Sequence, residues 1–282
     1  MPRCWQLRSR SLSLEGGPQV VGILNVTPDS FSDGGTHQAV VTAVDAALQM
    51  EDSGAAIIDI GGESTRPYSD PVAVAEELQR VTPVLERLQG RLEVPISIDT
   101  SKAAVAEAAL DLGAEIINDV SGLERDPEMG PLAAARQAGV CVMHMQGTPQ
   151  TMQDAPTYEN VVEEIEAYLQ QRAVACQGRG IAPERICLDP GIGFGKTHAH
   201  NLELLRGVRR FLQLPYPILI GHSRKGFIAH VLDDRTVDRD AGTLGVSLAM
   251  AAAGVDLLRV HNVPATVQAL RLFQACRTPS GR

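Results

Sequence analysis

In this 282-residue chain, side chains able to do acid, base and hydrogen-bond chemistry recur directly after short apolar runs. Asn25 follows Val20 to Leu24, and Glu63, Thr65 and Arg66 follow Ile57 to Ile60. Asp99 closes Ile96 to Asp99, Asn118 lies in Ile116 to Asp119, His144 ends Val140 to His144 and Asp189 ends Ile186 to Asp189. Ser223 and Lys225 follow Ile218 to Gly221, and Arg259 and His261 sit in Leu257 to His261. The carboxylates of Asp99 and Asp189 and the amide of Asn118 suit a planar heterocycle with ring N–H and amino groups, on which Arg259 could stack its guanidinium. Lys225, Arg66 and His261 supply positive charge. The set fits a heteroaromatic ligand bearing an anionic group. Helix capping accounts equally well for a single residue such as Asp99, which precedes Thr100, Ser101 and Lys102. It does not account for Asn118, Lys225 and Arg259, which lie in or just after apolar runs where an unpaired polar group is costly.

Other chemistries fit less well. Gly191 to Thr197, GIGFGKT, looks like a phosphate-binding loop, but that motif demands glycine where Pro190 stands. The segment reads as a strand-end turn that presents the Phe194 ring over the site. His144, His222 and His261 invite a zinc hydrolase reading, yet Asn25 ends the first run without an H-x-H, and His198 and His200 sit at a helix start. A glycosidase wants a carboxyl pair flanking one bond, whereas the fourth and seventh runs end in Asn118 and His222.

The elements that must hold these residues alternate. Continuous apolar runs with many β-branched residues predict strands buried on both faces. Between them, helical periodicity covers His37 to Ser53, Val72 to Leu88, Lys102 to Leu112, Pro131 to Ala138 with a start signal at Asp126, and Tyr158 to Cys176. It returns over Asn201 to Leu212, in a helix ending near Gly254, and over Pro264 to Ala275. About eight such strand–helix units predict an α/β chain closed into a (β/α)8 TIM barrel. A doubly wound open sheet is the competitor, but no G-x-G-x-x-G follows Leu24. We expect one domain over residues 1–282, the barrel at about 20–276, residues 1–19 as an N-terminal hairpin or cap, and a frayed tail from Thr278 to Arg282.

Composition narrows the function. There are 25 Lys plus Arg against 34 Asp plus Glu, a formal charge of -9, so global attraction to nucleic acid or anionic lipid is not expected. An anionic ligand must be held by local charge within a cleft. The five cysteines are scattered without C-x-x-C spacing, which argues against a disulfide framework or zinc cluster. No apolar run approaches the roughly 18 residues of a membrane span, and a reducing cytoplasm is the expected compartment.

The motifs GILNVTPDSFSDGG, IIDIGGESTRP, ISIDTSK, EIINDVSGL, MHMQGTPQTMQ, ICLDPGIGFGK, LIGHSRKGFI and LLRVHNV occur in order from Val20 to Val263, and together the chain resembles the dihydropteroate synthase family. The resemblance implies a TIM barrel, usually dimeric, that joins 4-aminobenzoate to 6-hydroxymethyl-7,8-dihydropterin diphosphate with release of pyrophosphate and with Mg²⁺, in folate synthesis. It implies Asn25 at the metal and diphosphate, Asp99, Asn118 and Asp189 on the pterin edge, and Lys225 touching pterin and aminobenzoate. Arg259 and His261 match the pair near pterin face and diphosphate. Ser64, Thr65, Arg66 and Pro67 fall in a mobile second loop forming the aminobenzoate site, with Phe31 and Asp33 in a first loop, Thr27 to Gly35, that acts as a lid. Lys225, Arg259 and His261 are the expected catalytic residues. His222 and Gly226 depart from some relatives and bear on aminobenzoate contacts. The alternatives are a pterin-binding module of the corrinoid methyltransferase type and a catalytically inactive paralogue.

Overall fold

The computed structural model describes residues 3–26 and 35–277. An antiparallel hairpin of β1 (Cys4–Gln6) and β2 (Ser11–Ser13) precedes eight parallel strands. These are β3 (Gln19–Asn25), β4 (Ile57–Gly61), β5 (Ile96–Asp99), β6 (Ile116–Asp119), β7 (Gly139–Met143), β8 (Ile186–Asp189), β9 (Leu219–Ile220) and β10 (Leu257–Val260). They lie in the order β8-β7-β6-β5-β4-β3-β10-β9, and a parallel bridge between Leu188 and Ile218 brings the two ends together. The helices between and after them are α1 (Gly35–Asp52), α2 (Val74–Leu88), α3 (Ala103–Asp111), α4 (Met129–Ala135) and α5 (Val161–Gly178), then α6 (His198–Arg206), α7 (Val208–Phe211), α8 (Gly226–Val231), α9 (Asp240–Ala253) and α10 (Val263–Arg277). The expected barrel with a hairpin is what forms.

Because side chains alternate along a strand, the sheet divides its residues between two cores. Ile58, Ile60, Ile98, Ile117, Val140 and Val142 face the helices. Val21, Ile57, Ile116, Cys141, Cys187 and Leu257 fill the barrel interior against Trp5, Leu7 and Leu14 of the N-terminal segment. Trp5 Nε1 donates to Arg185 O at 2.9 Å, and Arg3 and Arg10 pair with Asp256 and Glu115, residues that directly precede β10 and β6. The hairpin therefore plugs the amino-terminal end and leaves the carboxyl ends open.

Three local expectations change. The helix expected from Asn201 to Leu212 divides at Gly207, and the one ending near Gly254 is two helices, α8 and α9. Asp126 does not start α4. Its Oδ2 accepts from Ala103 N at 2.8 Å and its Oδ1 from Glu128 N at 3.0 Å, so it caps α3 from the neighbouring loop. The lid reading of the first loop, with Phe31 and Asp33, lies outside the described residues apart from Gly35, which opens α1; the tail from Thr278 to Arg282 lies outside them too.

Candidate active site

Register brings the strand ends to one level: Asn25 pairs with Gly61, Gly61 with Asp99, and Asp99 with Asn118. Asp59 lies two residues before Gly61 on β4, so the period of two turns it to the same inner side, beside Ser97. Arg259 reaches across from β10. Its Nε donates to Asp59 Oδ2 and its Nη2 to Asp99 Oδ2, both at 2.6 Å, while Asn118 Nδ2 donates to Asp59 Oδ2 at 3.0 Å. Asp59 Oδ1 and Asp99 Oδ1 are buried and find no partner among the described residues. Burial pushes the Asp99 carboxyl up to about 7 against the pull of Arg259, with Asp59 adding to the rise. Burial also works against the Arg259 charge, but Asp59 and Asp99 outweigh it and the guanidinium is held more firmly protonated than usual.

The segment after β8 builds the opposite wall. Asp189 Oδ1 accepts from Gly191 N at 2.7 Å, and burial raises its carboxyl above the usual range although Lys225 and that amide oppose the rise. Gly191 has φ +70° and lies so close to β7 that a Cβ there would fall 2.0 Å from His144 O, so the turn requires glycine. Phe194 presents its ring to Lys225, whose Nζ lies 4.4 Å from the ring centroid and donates to Ile192 O. Burial lowers the Lys225 ammonium to about 7, with Asp189 resisting.

Arginine charges surround a neutral histidine at the rim. His261 Nδ1 lies 2.9 Å from Ser223 Oγ, which also accepts from His261 N at 3.2 Å. Burial, followed by the charges of Arg224, Arg259 and Arg66, lowers the His261 imidazole to about 4. Thr65 is half-buried and Arg66 exposed on the β4–α2 loop, which rests on the β7–α5 loop through a Tyr68 N–H bond to Pro149 O at 2.9 Å. Asn25 ends β3 half-buried. Among the described residues no three His, Cys, Asp or Glu side chains gather as a metal site. What Asn25 offers is a neutral, hard oxygen donor suited to a cation that keeps water and substrate phosphate as its other ligands, as Mg²⁺ does.

Three residues of the strand-end set do not join the cluster. His144 is buried with its Nδ1 2.9 Å from Lys196 Nζ, and burial with the Lys196 charge lowers it to about 2. Lys196, the lysine of GIGFGKT, is itself 2% exposed and also donates to Phe194 O at 2.8 Å. It braces this loop from inside, so the phosphate-loop resemblance has no structural counterpart. Glu63 turns back to Lys102. His222 points into α9, where its Nε2 meets Ser247 Oγ at 2.8 Å and Thr243 O at 3.1 Å. Gly226 opens α8, exposed, where an added Cβ would meet His198 Cε1 at 3.5 Å. The residue that sequence reasoning missed is Asp59. Its signal was a carboxylate inside the apolar run IIDIG, in phase with the strand-end glycine.

The pterin binding enzyme family matches residues 21–261, from β3 to the end of the last strand. The dihydropteroate synthase of Escherichia coli (strain K12) is 48% identical over 260 residues, covering 92% of this chain and 91% of that protein. The chain belongs to the dihydropteroate synthase family. The solved structure of the family member from Xanthomonas albilineans with 4-aminobenzoic acid superposes with a TM-score of 0.92 at 44% identity, covering 99% of this chain and 100% of that one. The same enzyme in complex with 7,8-dihydropteroate gives a TM-score of 0.88 at 42% identity, covering 98% and 100%. The family match thus takes in the ends of all eight barrel strands.

Proposed function

We propose that this chain condenses 4-aminobenzoate with 6-hydroxymethyl-7,8-dihydropterin diphosphate to 7,8-dihydropteroate. The amine nitrogen bonds to the pterin methylene carbon, the C–O bond to the diphosphate breaks, the amine gives up a proton and pyrophosphate leaves. The observation that carries this reading is Arg259 held between Asp59 and Asp99, each with a second oxygen buried and without a partner among the described residues. A pterin edge bearing ring N–H and amino donors would satisfy those oxygens, whereas a ligand without them would leave both unpaired.

Asp99, Asn118 and Asp189 bind and orient the pterin edge, and Phe194 supports Lys225 from below. As the C–O bond breaks, positive charge develops on the pterin and negative charge on the leaving oxygen. The carboxylates of Asp99 and Asp189 favour the first, and the charges of Arg259 and Lys225, with a hydrogen bond from the neutral His261 imidazole, favour the second. Thr65 and Arg66 position the aminobenzoate, a weak nucleophile that gains mainly from orientation. Mg²⁺, held by Asn25 together with the diphosphate and water, would add positive charge at the leaving group.

The reading includes one barrel domain at about residues 20–276 in the cytoplasm, a compartment suited to its free cysteines. Among the described residues no helix is long and apolar enough to cross a membrane. It also includes a homodimer, for which an apolar groove of about 470 Å³ lined by Leu202, Val208, Phe227, Val246 and Met250 offers a surface. A one-chain mass by light scattering at micromolar concentration would remove the dimer from the proposal.

The deciding experiment mixes the protein with both substrates and Mg²⁺ and follows pyrophosphate. Release that depends on aminobenzoate is expected. Pterin binding without release would leave the methyltransferase-type module or the inactive paralogue, and the former would need a corrinoid partner.

A further inference from the structure

Glu63 follows β4 by two residues, yet its carboxylate faces away from the mouth. Glu63 Oε2 accepts from Lys102 Nζ at 2.5 Å, and Glu63 Oε1 accepts from the backbone N–H of Val72 at 3.0 Å. Glu63 and Val72 are the two ends of the loop that carries Thr65 and Arg66, so one carboxylate closes that loop at its base. Lys102 Nζ also donates to Glu77 of α2, a carboxylate with no exposure, and Arg80 Nη1 of the same helix donates to Gly62 O at 2.7 Å. The loop base is thereby fastened both to α2 and to the segment leading from β5 into α3. Burial opposes the Lys102 charge, but its bonds to Glu63 and Glu77 prevail and hold it protonated.

We propose that Glu63 and Lys102 are positioning residues for the second substrate: their clamp fixes the base of the 63–72 loop so that Thr65 and Arg66 stand over the aminobenzoate pocket. The inference rests on the function proposed above, with aminobenzoate as the substrate this loop serves. Neither residue touches the Asp59–Arg259–Asp99 cluster, so the clamp acts on one substrate and not on the other. Removing Glu63 leaves the Lys102–Glu77 pair in place and releases only the loop. Removing Lys102 leaves two carboxylates facing each other, one wholly buried, and disturbs α2 as well.

Glu63→Ala is the primary test, with Glu63→Gln as the conservative control that keeps an acceptor for Val72 N–H. For Glu63→Ala, the KM for 4-aminobenzoate should rise about tenfold, the scale of a misplaced substrate-positioning contact. Pterin diphosphate affinity by calorimetry should stay within twofold, and the Val72 amide should lose protection in hydrogen exchange. Glu63→Gln should recover most of the aminobenzoate KM. An aminobenzoate KM equal to that of the unaltered protein, or equal losses for both substrates, would overturn the clamp, the latter marking a merely structural role. If the unaltered protein releases no pyrophosphate, the proposed function fails, and the Val72 amide together with direct aminobenzoate binding still decides the clamp: protection retained in Glu63→Ala overturns it, and protection lost along with binding supports it.

Discussion

Arg259 Nη2 donates to Asp99 Oδ2 at 2.6 Å, a bond between the last strand and the third strand of the barrel. Its Nε donates in parallel to Asp59 of the second barrel strand. A planar fork of fixed geometry can span both carboxylates while keeping a flat face toward the mouth, which a lysine ammonium on a flexible stem cannot. The guanidinium thus does two things. It compensates buried negative charge in the free protein, and it offers a surface on which a heterocycle can stack while its edge meets the remaining carboxylate oxygens.

Arg259→Lys should therefore fail despite conserving charge. With one carboxylate left uncompensated in the barrel, we expect a stability loss of about 2 kcal/mol in urea unfolding, and turnover lowered by at least about a hundredfold. Turnover within a few-fold of the unaltered protein would show that the bridge is not needed.

Lys225 gives a pH-dependent prediction with a definite sign. Burial lowers its ammonium from 10.5 to about 7. Between those values the unfolded chain holds a proton that the folded chain has lost, so the destabilisation is full below about pH 7 and disappears toward pH 10.5. Lys225→Met should raise Tm by about 3 °C at pH 6.5 while abolishing turnover, and the gap in unfolding free energy should narrow as pH rises to 9.5. A gap that widens with pH would contradict the burial of this ammonium.

Much of the fold and most of the cluster were legible because strand parity is a local property: short runs, each ending in a polar residue, fix both the element and the end at which the site forms. Long-range direction was not legible. Glu63 and His144 stand at strand ends like Asp99 and Asp189, but whether a side chain there turns to the mouth depends on partners such as Lys102 and Lys196 that lie tens of residues away in sequence. Asp59 escaped notice for the opposite reason. It lies inside an apolar run, and its partner Arg259 is two hundred residues distant, a separation that only barrel closure bridges. The break at Gly207 follows a propensity too weak to read against otherwise continuous helical spacing.

Acid lability should come from buried neutral histidines. Burial lowers His222 and His261 to about 4 and His144 to about 2. As pH falls below 6.5 the unfolded chain takes up protons that the folded chain refuses, so each contribution is whole above 6.5 and is lost on the way down to the folded value. His222→Gln keeps a donor for Thr243 O and should flatten the loss of unfolding free energy between pH 6.5 and 4.5 by about 1.4 kcal/mol per pH unit. Comparing the variant with the unaltered protein cancels the opposite trend from Asp99. Parallel pH curves for the two proteins would remove His222 from the account.

The two walls of the site should fail separately. Asp189 is buried and bonded to Gly191 N, so on the proposed function Asp189→Ala removes an acceptor from the pterin edge and leaves ligand donors unpaired. Pterin diphosphate affinity should drop about a hundredfold in calorimetry. Arg66 is exposed on the loop closed by Glu63 and makes no side-chain bond to Asp59, Arg259 or Asp99 among the described residues, so Arg66→Ala should leave pterin affinity intact and raise the KM for 4-aminobenzoate about tenfold. Because pterin must be seated before the amine can attack, the Asp189 variant should also lose turnover at saturating aminobenzoate, while the Arg66 variant should regain it. If added aminobenzoate rescued Asp189→Ala but not Arg66→Ala, the assignment of the two walls would be reversed.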